Sequence, residues 1–162
     1  MSGKSRPRKS WQEKLTDSKG LLRVEKITGK MSKKWGAGTI VIPAPKEVDE
    51  IMRKIPVGKV TTINEIRAKL AQEHGATIGR PMTTGIFAWI AANAANEAAE
   101  EGKRDITPYW RTLKSGGQLN EKYPGGVEAQ TACLEKEGHI IEPGKGKKLP
   151  KVKDFEKHLA KL

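Results

Sequence analysis

Few side chains in this sequence are of a type that does covalent or metal chemistry, and their spacing limits what they can do. The single cysteine, Cys133, sits between Ala132 and Leu134 in an apolar helical run, where a cysteine is ordinarily a small buried hydrophobe. A thiol reacts as the thiolate and needs an activator, and no histidine is close in sequence: His139 lies beyond the expected helix end. His74, His139 and His158 are widely separated, and no His/Cys/Asp cluster points to a metal centre or a hydrolytic site. One cysteine also excludes an internal disulfide and argues against structural zinc. The densest run of polar and aromatic groups is Pro108-Tyr109-Trp110-Arg111, followed by Lys122-Tyr123-Pro124-Gly125-Gly126 and Glu137-Gly138-His139. Tyr109 is a phenol with an ordinary pKa of about 10. Trp110 donates one hydrogen bond and cannot act as a base. The block therefore lacks a nucleophile paired with a base.

The elements that must position these residues follow from periodicity and punctuation. Thr39-Ile40-Val41-Ile42 reads as a strand fragment stopped by Pro43 and Pro45. Pro45 can open a helix with Val48, Ile51, Met52 and Ile55 on one face, ended by Pro56-Val57-Gly58. Thr61-Thr62 can cap a second helix with Ile63, Ile66 and Leu70 as its apolar stripe, and Glu65 three residues after Thr62 completes a capping box. After Gly75 and a turn, Pro81 starts a longer, alanine-rich helix that Gly102 closes. On it, Ile86, Phe87, Trp89 and Ile90 are expected as a core face. Short helices joined by Gly/Pro turns are what a helix-turn-helix requires. Ile106 to Leu113 reads as a buried strand or extended loop, and Ser115-Gly116-Gly117 as a turn after which Gln118-Leu119 pairs back as a small wing. A further helix runs from Val127 to Glu137 and stops at Gly138. Pro143 to Pro150 is a Gly/Lys-rich linker, and Val152, Phe155, Leu159 and Leu162 have helical spacing.

Charge separates the ends from the middle. The net charge is +12. Residues 1–36 carry eleven Lys/Arg against three acids, residues 139–162 seven against three, and residues 37–138 thirteen of each. Basic ends flanking a neutral core suit a phosphate-binding protein, because each neutralised phosphate releases a condensed counterion. Lysine-rich ends that only maintain solubility give the same count. Hydrophobic residues make up 36% of the chain, low for a fully compact protein, so the ends are expected to be poorly ordered. No apolar run approaches the roughly 20 residues of a membrane span, and the basic N-terminus lacks a signal-peptide apolar stretch. A soluble, intracellular, cytoplasmic and monomeric protein is the expectation.

The block beginning Pro108-Tyr109-Trp110-Arg111, its Tyr123-Pro124-Gly125-Gly126 turn, Glu137-Gly138-His139, and the earlier run Ile55-Pro56-Val57-Gly58-Lys59-Val60-Thr61-Thr62 stand in the order and near the spacing of four family motifs. Together they resemble the DNA-binding domain of the alkylguanine-DNA alkyltransferases, the methylated-DNA–protein cysteine methyltransferases. The resemblance covers roughly Pro43 to Ile141; residues 1–36 and 143–162 have no counterpart. Tyr109 stands at the family's nucleophilic cysteine and Trp110 at its activating histidine, so the resemblance implies the alkyltransferase-like branch, with no catalytic residue and Glu137 as a relay remnant. It implies double-stranded DNA as partner, with alkylated guanine as the lesion and other repair factors downstream, and neither cofactor nor metal.

By the same resemblance, Thr61, Thr62, Arg80, Thr83, Thr84 and Arg111 would face DNA through the minor groove. Tyr109, Trp110, Tyr123, Gly125 and Gly126 would line a base pocket, and Asn93 would brace the active-site loop. Ile63 stands where the family has the tyrosine that pushes the flipped phosphate. Met82-Thr83-Thr84-Gly85 stands where it has its wedge arginine, the nearest arginine being Arg80. A basic helix-turn-helix module binding DNA or RNA without lesion preference is the alternative. The expected fold is α+β and mainly helical, a winged helix-turn-helix-like domain over 37–141. A basic flexible arm would precede it over 1–36, and a basic linker with a short C-terminal helix would follow over 142–162.

Overall fold

The computed structural model describes residues 10–17 and 21–162; the other parts of the expected N-terminal arm, 1–9 and 18–20, lie outside the described residues. Helix α1 spans Trp11–Thr16, strand β1 Arg23–Lys26, helix α2 Lys30–Trp35 and strand β2 Thr39–Ile42. Helix α3 covers Pro45–Arg53, strand β3 Thr61–Thr62, helix α4 Ile63–Glu73, strand β4 Ile78–Gly79 and helix α5 Pro81–Glu100. A 3-10 turn at Tyr109–Arg111 runs into strand β5, Thr112–Leu113. Helix α6 spans Gly126–Lys136, strands β6 and β7 are Ile141–Glu142 and Lys151–Val152, and a second 3-10 turn covers Phe155–His158. The architecture is α+β with small sheets. Strand β2 lies between antiparallel β1 and parallel β4, β3 pairs parallel with β5, and β6 pairs antiparallel with β7.

Helices α3, α4 and α5 begin where the sequence predicts. Pro45 opens α3, and the Ala44 amide donates to the Glu47 carboxylate at 2.9 Å. Thr62 caps α4, accepting from the Glu65 amide while its hydroxyl donates to the Glu65 carboxylate. Pro81 opens α5. The helix-turn-helix is α4, the turn 74–80 carrying β4, and α5. Gly79 is required in that turn, because a Cβ there would meet the Arg67 carbonyl oxygen at 2.7 Å. The principal core joins Val48, Ile51, Met52, Ile66, Leu70, Phe87, Ala88 and Ala91 with Tyr109 and Tyr123. A second core joins Val60, Leu113, Leu119, Leu134 and Val152.

Two expectations about the periphery are corrected. Where described, the N-terminal segment is docked: β1 pairs with β2 over Arg23–Lys26, and α1 packs along α5 and against α3. The composition is polar, but Trp11, Leu15 and Leu21 supply enough apolar surface to reach the core. The expected helix over 152–162 is absent. Val152 belongs to β7 and is fully buried, Phe155 lies in a 3-10 turn, and Leu159 bridges Val60 in parallel. Spacing of three and four residues satisfies the second core without a continuous helix. Gln118 pairs back as expected, its carbonyl accepting from the Lys114 amide, and it also bridges Lys151 of the C-terminal segment.

Candidate functional site

The 3-10 turn at Tyr109–Arg111 places the aromatic block against the middle and C-terminal end of α6. Tyr109 is 9% exposed and Tyr123 3%. Their rings meet edge to face at 5.6 Å, and Trp110 meets Tyr109 the same way at 5.4 Å. Burial pushes the Tyr123 phenol far above its ordinary value, and burial followed by nearby Cys133 pushes up the Tyr109 phenol. Both are neutral hydroxyls at neutral pH. Burial also pushes up the thiol of half-buried Cys133, with Glu137 adding to the effect and Lys136 opposing it, so this sulfur is held away from the thiolate form. Among the described residues, no group of three or more His, Cys, Asp or Glu is placed to hold a metal ion.

Glu137 sits at the centre of a charge-assisted cluster. Its carboxylate accepts from Trp110 Nε1 at 2.8 Å and from Arg111 Nε at 2.9 Å and Nη2 at 2.8 Å, while Arg111 Nη1 donates to the Ile55 carbonyl at 2.7 Å. Burial would raise the Glu137 pKa, but the Arg111 and Trp110 bonds outweigh it and hold the carboxyl below its ordinary range. The fully buried Gln130 fastens the rest of the loop: its Oε1 accepts from the Asn120 amide at 2.7 Å and its Nε2 donates to the Trp110 carbonyl at 3.1 Å. Arg111 therefore spends its donors inside the protein, with its side chain 11% exposed, and the expectation that it faces DNA is corrected.

Burial corrects other expected contacts. Thr61 and Thr62 are 0% and 1% exposed in β3. Thr84 is fully buried and donates to the Arg80 carbonyl at 2.7 Å. None of these three can reach a duplex. Arg80 and Thr83 are part-exposed at the start of α5. Asn93 donates to the Trp89 carbonyl one turn back on its own helix at 2.9 Å, rather than bracing the loop. Gly125 and Gly126, with φ of +78° and +67°, form the turn that starts α6. His139 and His158, far apart in sequence, stack edge to face at 5.2 Å.

One concave surface lies between α5 and the loop that leads into α6. A groove of about 560 Å³ runs between the first half of α5 and the 114–122 loop. Its walls are Ile63, Pro81, Met82, Gly85, Ile86 and Trp89, with Lys114, Asn120 and Lys122 opposite. The volume falls within the roughly 300–1,000 Å³ of small-molecule and base sites. Tyr109, Trp110 and Tyr123 form the packed layer behind it and do not line it. Met82 is 72% and Ile86 46% exposed, so the expected core face of α5 is split: Phe87 and Ile90 point inward, Ile86 and Trp89 toward the groove. The signal is present in the sequence, because Met82, Ile86 and Trp89 recur at four and three residues, a second apolar stripe beside that of Thr84, Phe87, Ala88 and Ala91.

This fold is similar to that of two solved proteins. One is S. pombe ATL in complex with DNA, at 21% identity and a TM-score of 0.51, the alignment covering 73% of this chain and 94% of that one. The other is S. pombe Atl1 in complex with damaged DNA containing O6-carboxymethylguanine, at 19% identity and a TM-score of 0.47 with the same coverage. No protein-family model and no curated protein matches the chain.

Proposed function

We propose that this chain is an alkyltransferase-like DNA-binding protein that receives an alkylated base in the groove beside α5 and does not transfer the alkyl group. The observation that carries this reading is the groove itself. It is apolar on the helix side and carries Lys114 and Lys122 on the loop side, at the start of the second helix of a helix-turn-helix. An apolar slot suits the flat face of an extruded base, and flanking ammonium groups suit its phosphates. Met82, protruding at the rim, is of the residue type that wedges between base steps in minor-groove binding. The fold shared with S. pombe ATL supports the same assignment.

The chemistry behind the groove supports binding without transfer. A transferase needs an exposed thiolate and a base. Here those positions hold a buried phenol and an indole whose one donor is committed to Glu137. Such a protein would mark a lesion for other repair factors. A duplex carrying 2-aminopurine at the target position tests the extrusion step. Its fluorescence should rise on binding as the base leaves the stack, and unchanged fluorescence at saturation would leave a general duplex binder in place of a base receptor.

A further inference from the structure

We infer that Trp11, in the N-terminal segment outside the region of resemblance, is a positioning residue for the groove: docking of α1 fixes the Trp89 wall and thereby sets selectivity for the bound base. The inference rests on the reading that the groove receives a base. Trp89 is the wall residue farthest along α5, and two contacts hold it in place. Its Nε1 donates to the Lys122 carbonyl at 3.1 Å, tying the helix to the opposite wall. The Trp11 ring meets its ring edge to face, with centroids 4.8 Å apart and planes at 80°. One contact is intrinsic to the domain and the other is supplied by the added segment.

The segment is built to dock there. The Trp11 and Gln12 amides donate to the Glu97 carboxylate at 3.1 and 3.2 Å, and Gln12 Nε2 donates to the same group at 3.1 Å. Glu97 lies two turns beyond Trp89 on the same side of α5. Lys103 Nζ donates to Gln12 Oε1 at 3.0 Å, and Lys14 lies over the Trp11 ring at 4.2 Å. Helix α1 has six residues, too few to persist alone, so its helical form depends on these contacts. Undocking therefore loses the helix together with these contacts, and a ligand that needs Trp89 fixed must favour the docked form. By linkage, docking and base binding then strengthen each other by the same factor.

The test uses the full chain and two duplexes at matched salt, one with a single O6-methylguanine and one unmodified. Trp11→Ala should lower the modified-to-unmodified affinity ratio by roughly fivefold or more, the lower end of typical coupling. Affinity for the unmodified duplex should stay unchanged, since no charge is altered. Trp11→Phe, which keeps an aromatic edge, should restore the ratio; a purely structural role would lower both affinities together. In the unaltered protein, amide exchange over residues 10–16 should slow on adding the modified duplex and not the unmodified one. That readout, with Glu97→Ala as the undocking variant, decides the matter if Trp11→Ala does not fold. A selective wild-type protein whose ratio survives undocking overturns the inference alone. A wild-type ratio of one overturns the base-receptor reading and the inference with it.

Discussion

Trp110 Nε1 donates to Glu137 Oε2 across 2.8 Å, directly joining the 109–111 turn to the C-terminal end of α6. The indole acts here as a hydrogen-bond donor and cannot act as a base. The pair anchors the loop. Trp110→Phe keeps an aromatic ring of smaller size and removes the donor; the lost bond should destabilise the protein by roughly 1.5–3 kcal/mol, the range for a bond to a charged group. Glu137→Ala leaves Arg111 uncompensated in a mostly buried site and should cost about 3–5 kcal/mol. Denaturant melts measure both, and a loss under about 1 kcal/mol for Glu137→Ala, below the range for breaking a buried pair, would contradict the anchoring role.

The same carboxylate sets a pH dependence. Its folded pKa is depressed: burial pushes it up, but Arg111 and Trp110 pull it further down. A depressed carboxylate contributes stability that is fully present above its unfolded pKa of about 4.3 and is lost as pH falls through the folded value. Acidification below about pH 4.3 should therefore destabilise the unaltered protein more steeply than Glu137→Gln. Parallel profiles for the two would mean that the Arg111 bonds do not stabilise the ionised form.

Introducing a cysteine and a histidine at positions 109 and 110 should not make a transferase. Tyr109→Cys with Trp110→His supplies a nucleophile and a base, but Tyr109 is packed against Trp110 and Tyr123 behind the groove. Truncating such an aromatic costs roughly 3–5 kcal/mol. A thiol in that layer is also poorly placed for a base held against Ile63 and Trp89, and misplacement can cost on the order of 100-fold in rate. The double variant should be less stable and transfer a labelled methyl group slowly or not at all. Efficient labelling at position 109 would show that the layer opens to the base.

The cation distribution predicts where salt dependence arises. Gln118 at the wing bridges Lys151, so the exposed Lys145, Lys147, Lys148 and Lys151 lie on a segment paired to the groove's own loop. Replacing these four by glutamine should shallow the plot of log affinity against log salt by about 0.9 for each phosphate no longer neutralised. An unchanged slope would show that the phosphates are neutralised elsewhere, with Arg80 and Lys122 the next residues to replace.

Much of the helical scaffold is legible in the sequence because its signals are local. Pro45, Thr62, Pro81 and Gly125 each mark an element start by backbone chemistry that tertiary context does not override. The site is legible only as a block. Sequence places Tyr109, Trp110, Tyr123 and Glu137 together, but not which side of the layer faces outward. That depends on α5 having two apolar stripes, and a single periodicity count assigns both to the core. Thr61 and Thr62 mislead for a related reason, since a threonine capping a helix and one in a buried two-residue strand look alike in sequence, while Thr84 turns its hydroxyl to the Arg80 carbonyl of its own helix. The C-terminal segment fails as a helix because its partners, Val60 and Gln118, are remote along the chain.

Binding of the protein to a duplex with one O6-methylguanine, set against the same unmodified duplex at equal salt, tests the proposed function most directly. A base received in the groove predicts tighter binding to the modified duplex, with no label left on the protein when the methyl group is labelled. Equal affinities, or label recovered on Cys133, would contradict it.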